Sequence, residues 1–260
     1  MPKQSFVEAN RSLERGIAIL RAFRPGVSEL GNSEIVERTG LAKATVSRLT
    51  QTLVGCGMLE HNASRRAYRL APAVLSFAHA MRLGSPILPT IAPLMRQEAT
   101  RRRVNVGLAA ADGEMMVYLE SFRYSPRSSF RTVVSGQRIP IELTSLGRAY
   151  LWALPQGERV RELAHIAKRR ARIWSQLGPD MNASFDELSR LGYCAVRWQP
   201  GAAAVAAPII VTGLAPHVLN ISISSADPLS ELAQTLGRWL IDLRTRCLAQ
   251  IEESLLTPGR

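Results

Sequence analysis

Six residues inside one short stretch carry the clearest chemical signal in the chain: Lys43, Ala44, Thr45, Ser47, Arg48 and Gln51. On a helix turning roughly 100° per residue, Ala44, Ser47, Arg48 and Gln51 share one arc. Small side chains let a helix sink into the major groove of DNA. Serine, glutamine and arginine then meet base edges or phosphate oxygens. Lys43 and Thr45 fall in the first turn, where such a helix makes contact. Further on, Arg65 and Arg66 stand side by side in the polar run Asn62-Ala63-Ser64-Arg65-Arg66. Paired cations there suit phosphates or the minor groove. Both groups have plainer readings, an ordinary amphipathic surface helix for the first and a solvated turn for the second.

The elements around them decide between these readings. Ile35 and Val36 are apolar among Glu34, Glu37 and Arg38, a short helix pattern that stops at Thr39-Gly40-Leu41. A second helix pattern starts near Ala42 and ends at Gly55-Cys56-Gly57, with Val46, Leu49 and Leu53 on its inner face. That is the layout of a helix-turn-helix. Residues 58–61 and 67–70 read as short strands flanking the paired arginines, which makes the arginine run the tip of a wing. Upstream, Ser12 is suited to cap a helix running to about Phe23 with Leu13, Ile17 and Leu20 on one face. Together these give a winged helix-turn-helix over residues 9–72. Residues 1–82 carry 12 Lys and Arg against 6 Asp and Glu, and residues 83–260 carry 21 against 15. Half of the net charge of +12 therefore sits on under a third of the length, as expected where a polyanion binds.

Pro72 opens a linker helix over residues 73–85, since proline is tolerated in a first helical turn. A helix over 87–103 follows, ending at Arg101-Arg102-Arg103, which reads as a solvated cluster opposing the helix dipole. The pattern then changes. Strands are expected at 104–111 and 114–122 around an Asp112-Gly113 turn, then at 131–135 and 137–143. Helices follow at 146–154, 157–171 and 181–191. Strands return at 193–197, 203–211 and 218–224, before a last helix from Pro228 to about Leu255. Strands in antiparallel hairpins flanked by helices make residues 86–256 an α+β domain. The helix opening at Thr144 would present backbone N–H groups and a positive dipole end from Ser145, Leu146, Gly147 and Arg148, a dock for a carboxylate. Gly147 alternatively allows close helix packing. Ser222 and Ser224, two apart on a strand, share a face. They are either hydroxyls for a ligand or polar positions on a solvated sheet face. Arg123, Arg127, Arg131 and Arg138 favour an anionic ligand, with one of them expected to face the pocket and the others solvated.

Several classes find no support. His61, His79, His165 and His217 are scattered, with no metal-ligand spacing among themselves or with the cysteines, so no metal is expected. No nucleophile elbow, phosphate loop or dinucleotide fingerprint occurs, so neither catalysis nor a cofactor is expected. Cys56, Cys194 and Cys247 are too far apart for a disulfide framework and fit a reducing cytoplasm. The opening residues lack the apolar core of a signal peptide. No apolar run approaches the roughly 18 residues of a membrane span.

The chain resembles the IclR family of bacterial transcriptional regulators over about residues 9–255. RSLERGIAILRAF and LAKATVSRLTQTLVGCGMLE are similar to that family's winged helix-turn-helix. GQRIPIELTSLGRAYLWAL, LGYCAVR, PGAAAVAAPII and LNISIS are similar, in that order, to its more specific later motifs. The resemblance implies a GAF-like effector domain and dimers, often tetramers, on a short palindromic operator. It also implies a small organic acid that adjusts DNA binding or contact with RNA polymerase. Two departures fall where the family lines its effector cavity. Arg197-Trp198-Gln199 replaces the acidic residues common after the Gly-Tyr strand, and Ala204 stands where many members have cysteine. Trp198 points to an aromatic or larger ligand. The same changes also fit a pocket that binds nothing, leaving a ligand-independent DNA-binding dimer as the alternative.

Overall fold

The computed structural model describes residues 10–124 and 134–256. The chain divides into two units, Met1–Gly84 and Ser85–Arg260.

In the first unit, helix α1 (Arg11–Ala22) is capped by Asn10, whose Oδ1 accepts from the N–H groups of Ser12 and Leu13. The expected cap, Ser12, is instead a capped residue. Its buried face is also not the expected one: Gly16, Ile19 and Ala22 point inward, whereas Leu13 and Ile17 are exposed. Alpha helices with apolar residues on two arcs leave the choice of face to the packing partner. Strand β1 (Leu30–Gly31) leads into α2 (Asn32–Thr39), where the Glu34 carboxylate accepts from the Gly31 N–H at 2.8 Å. Gly40, at φ 68°, makes the left-handed turn into α3 (Lys43–Gly55) that a Cβ would strain. Strands β2 (Leu59–Asn62) and β3 (Ala67–Leu70) form the wing, and β1 adds to it antiparallel in the order β1-β3-β2. Ile19, Leu30, Ile35, Val46, Leu49, Leu59 and Tyr68 close one core around the three helices and the sheet. Arg38 ties α2 to the end of α1 by donating to the Ala22 carbonyl at 3.0 Å. Helix α4 (Ala73–Leu83) follows, with no buried residue.

The second unit is built on a six-stranded, wholly antiparallel sheet. It begins with α5 (Leu88–Arg102), β4 (Asn105–Asp112), β5 (Met115–Phe122) and β6 (Arg138–Pro140). Helices α6 (Ser145–Ala153), α7 (Gln156–Arg169) and α8 (Trp174–Leu191) come next. Then follow β7 (Cys194–Gln199), β8 (Ala202–Ile209), β9 (His217–Ser224) and α9 (Leu229–Leu256). The strand order is β6-β5-β4-β9-β8-β7. Side chains alternate faces along each strand. Val106, Leu108, Val205, Ala207, Ile209, Leu219 and Ile221 pack against α5 and α9. Ala109, Met116, Tyr118, Ala206 and Val218 pack on the opposite face with α6, α7 and α8. Covering both faces explains the unbroken apolar run of β8, which has no polar alternation to spare.

Two expectations change here. The strand expected at 137–143 shrinks to Arg138–Pro140, because the chain turns immediately to start α6. The helix expected at 181–191 begins at Trp174 and carries Pro179 in its interior. The contacts of Leu177 and Met181 with the core offset the backbone bond that proline removes. The strand expected at 131–135 falls largely outside the described residues, as do Arg127 and Arg131; Ser135 and Gly136 form a turn.

The arginine cluster 101–103 is more than a solvated helix end: Arg101 and Arg103 are exposed, but Arg101 and Arg102 are tied to a buried carboxylate. Glu98 is fully buried, and its carboxylate accepts from Arg101 Nη2 at 2.8 Å, Arg102 Nε at 3.1 Å and Arg246 Nη2 at 2.7 Å. Arg103 caps α5 in the left-handed region, its guanidinium 5.7 Å from the Tyr124 ring centre.

Candidate functional site

Helix α3 turns Val46 and Leu49 into the core, which forces the opposite arc outward. Lys43, Ala44, Arg48 and Gln51 are exposed, and Thr45 and Ser47 are partly so. Thr50 is the polar residue on the inner side, and it is satisfied there: its hydroxyl donates back to the carbonyls of Val46 at 2.9 Å and Ser47 at 3.0 Å. At the wing tip Arg65 and Arg66 are exposed, Arg66 with a left-handed φ of 51°. Arg65 Nη1 lies 3.2 Å from Glu29 Oε2, and Asn62 Nδ2 donates to Glu29 Oε1 at 2.9 Å. The Asn62 bond foremost, with help from Arg65, holds the Glu29 carboxyl below its ordinary value against the opposing effect of desolvation. The sequence reading missed Glu29, since nothing in its spacing shows that it meets residues more than thirty positions away.

The second unit contains a cavity of about 410 Å³ on the sheet face that carries α6. Trp198, Ala204, Ser222 and Ser224, all expected, line it, and so does Arg123. The register explains the grouping: Ala204 pairs with Ser222, Ala202 with Ser224 and Asn105 with Ser222, placing these side chains in rows across neighbouring strands. Gln199, beside Trp198, also lines it, and Tyr118, Asn220, Asn105 and Gln137 complete its polar lining, none of these last four having been singled out from the sequence. Asn220 was within reach of the argument, since it lies two residues before Ser222 on the same strand. Tyr118 was not, because its position depends on a register shift after Leu108.

The expected dock at the start of α6 is closed. The Thr144 hydroxyl accepts from the Gly147 N–H at 3.2 Å, and Ser145, Leu146, Gly147 and Arg148 are all buried. None of the four lines the cavity. A Cβ on Gly147 would come within 1.9 Å of the Ile141 carbonyl oxygen, so the glycine serves close packing. Gly147→Ala is expected to cost about 2 kcal/mol, the backbone of Ile141 having to move; a melting curve unchanged from the wild type would contradict this. Arg148 donates to the Asp180 carbonyl at 3.0 Å and the Ser184 hydroxyl at 2.9 Å, tying α6 to α8. Arg197 is likewise engaged, donating to the carbonyls of Ser225 at 2.6 Å and Asp227 at 2.5 Å. Arg138 pairs with Asp112. Buried helix starts and strand ends spend their polar groups on the nearest backbone, which sequence spacing does not reveal.

A winged helix-turn-helix followed by an α+β unit with a polar cavity defines a class of two-part DNA-binding proteins. Residues 12–63 match the IclR helix-turn-helix domain. The chain is 30% identical over 233 residues to the HTH-type transcriptional regulator TsaQ1/TsaQ2 of Comamonas testosteroni, covering 87% of this chain and 83% of that protein. It is similar to the crystal structure of an IclR family transcriptional regulator from Brucella abortus, with 32% identity, a TM-score of 0.81 and 93% of each chain covered. An IclR homolog from Microbacterium hydrocarbonoxydans, complexed with 4-hydroxybenzoate, shares the fold at 19% identity and a TM-score of 0.69, over 93% of this chain and 99% of that one. The chain belongs to the IclR family of transcriptional regulators.

Proposed function

We propose that this regulator binds a palindromic operator through α3 and the wing, and that a small organic acid in the 410 Å³ cavity modulates operator binding or activation. The observation that carries the reading is the cavity's lining. Arg123 supplies a cation, Ser222 and Ser224 supply hydroxyls, and Trp198 supplies an aromatic surface. Its described lining residues include no His, Cys, Asp, Glu or Lys, so neither serine has a base beside it to activate it. That composition favours a receptor over an active site. The 4-hydroxybenzoate bound by the homolog from Microbacterium hydrocarbonoxydans supports an aromatic acid as ligand.

In this reading Lys43, Ala44, Thr45, Ser47, Arg48 and Gln51 face the major groove, while Arg65 and Arg66 meet phosphates or the minor groove. The protein acts in the cytoplasm as a dimer, or a tetramer of two such dimers, matching operator symmetry. RNA polymerase is the further partner where it activates.

The test is fluorescence anisotropy of the full-length protein on a duplex from the region upstream of its own gene, with and without aromatic and aliphatic carboxylates. A carboxylate that shifts the midpoint supports the reading. Binding that no carboxylate alters supports a ligand-independent dimer. Arg65→Ala should weaken binding to all sequences alike and lower the slope of log K against log salt by about one. An unaltered slope would remove the wing from the interface.

A further inference from the structure

The cavity deepens along β9. Ser224 is exposed at its mouth, Ser222 is partly covered, and Asn220 is 2% exposed. Tyr118, also buried, stands beside Asn220, and Asn220 Nδ2 donates to the Tyr118 hydroxyl oxygen at 3.4 Å. Gly107 makes this possible, because a Cβ there would lie 2.5 Å from the Tyr118 ring and 2.6 Å from Asn220 Oδ1. Two polar functions are left over. Asn220 Oδ1 is buried with no hydrogen-bond partner among the described residues. The Tyr118 hydroxyl accepts from Asn220, so its own proton is directed elsewhere. Turning the amide over exchanges the roles and still leaves one donor and one acceptor. Burial pushes the phenol's pKa up, so it keeps its proton.

The cation is at the other end. Phe122 pairs with Val106, and Asn105 pairs with Ser222, so Arg123, the next residue along, stands at the level of Ser222. That level is two residues, or about 7 Å, from Asn220 along the strand. Ala204, beside Ser222, Ala202, beside Ser224, and Trp198 add apolar lining toward that end.

We propose that the Tyr118–Asn220 pair receives a hydroxyl of the effector, which makes the ligand an acid with a hydroxyl at the end remote from its carboxylate. A hydroxyl both donates and accepts, so one such group satisfies both leftover functions. The proposal rests on the acid-effector reading above and adds the chemistry of the ligand's buried end. Sites built to hydrogen-bond a hydroxyl discriminate strongly against the analogue without it, since their buried polar groups are then left unpaired.

The experiment is calorimetry on the full-length protein with two matched pairs, 4-hydroxybenzoate against benzoate and 6-hydroxyhexanoate against hexanoate. The expected result is tighter binding of the hydroxylated member of at least one pair by roughly tenfold or more. Tyr118→Phe, which removes one oxygen from a buried ring, should bring that ratio close to one. Equal binding of both members to the wild type overturns the hydroxyl assignment and leaves the acid-effector reading standing. A preference that survives Tyr118→Phe overturns the role of the pair. Binding of none of the four acids overturns the proposal together with the acid-effector reading.

Discussion

Arg48→Ala is expected to weaken operator binding by about 1–3 kcal/mol, roughly 5- to 150-fold, if the guanidinium meets a guanine edge. The reason is positional. Val46 and Leu49 are pinned in the core, so Arg48 has no inward option and its side chain is exposed. Among the described residues its side chain makes no hydrogen bond or ion pair; only its backbone carbonyl is engaged by a side chain, accepting from the Thr52 hydroxyl at 3.1 Å. The variant should therefore melt within about 0.5 kcal/mol of the wild type, as surface substitutions usually do. Loss of affinity should also be sequence-dependent, because a base contact discriminates and a phosphate contact does not. Anisotropy on the operator and on a scrambled duplex separates the two. Unchanged affinity on the operator would take Arg48 out of the recognition surface. A uniform loss on both duplexes would move it to the phosphate contacts with Arg65.

The second large effect concerns stability. Glu98→Gln should cost about 3 kcal/mol, because it removes the anion from a site where three guanidinium groups converge. The value sits at the low end for breaking a buried pair, since Arg101, Arg102 and Arg246 remain 50%, 32% and 34% exposed and are partly screened by water. Urea unfolding of both proteins at neutral pH measures it, and coincident transitions would contradict it. The pH dependence has a definite sign. Burial raises the Glu98 pKa, and the hydrogen bonds from Arg101, Arg246 and Arg102 together outweigh it and leave the carboxyl below its ordinary value. The folded state therefore binds this proton more weakly than the unfolded chain. The stabilisation is fully present above the unfolded carboxylate pKa, about 4.3, and is lost as pH falls through the lower folded value. The wild type should lose stability below about pH 4.5 more steeply than Glu98→Gln.

These two residues mark opposite cases of what can be read from a chain. Arg48 was legible, because an amphipathic helix fixes its own inside and outside: once Val46, Leu49 and Leu53 define one arc, the other follows from 3.6 residues per turn. The turn at Gly40, the wing strands and the Ser222/Ser224 face were legible for the same reason, each resting on a local period or a local backbone requirement. The arginines at 101–103 looked like a solvated helix end because Glu98 and Arg246, which give them their purpose, are joined only by the packing of α5 with α9.

Local periodicity thus determined the winged helix-turn-helix, the α+β character of the second unit and the direction its strands face. Contacts between distant segments decided the rest. The start of α6 became a closed packing joint because Ile141 lies on Gly147, and the cavity formed where the register of β4, β5, β8 and β9 gathers Tyr118, Asn220, Ser222 and Ala204. A backbone N–H or a serine hydroxyl is the same in sequence whether it faces a ligand or a neighbouring carbonyl, and only the packing of remote strands and helices settles which one it meets.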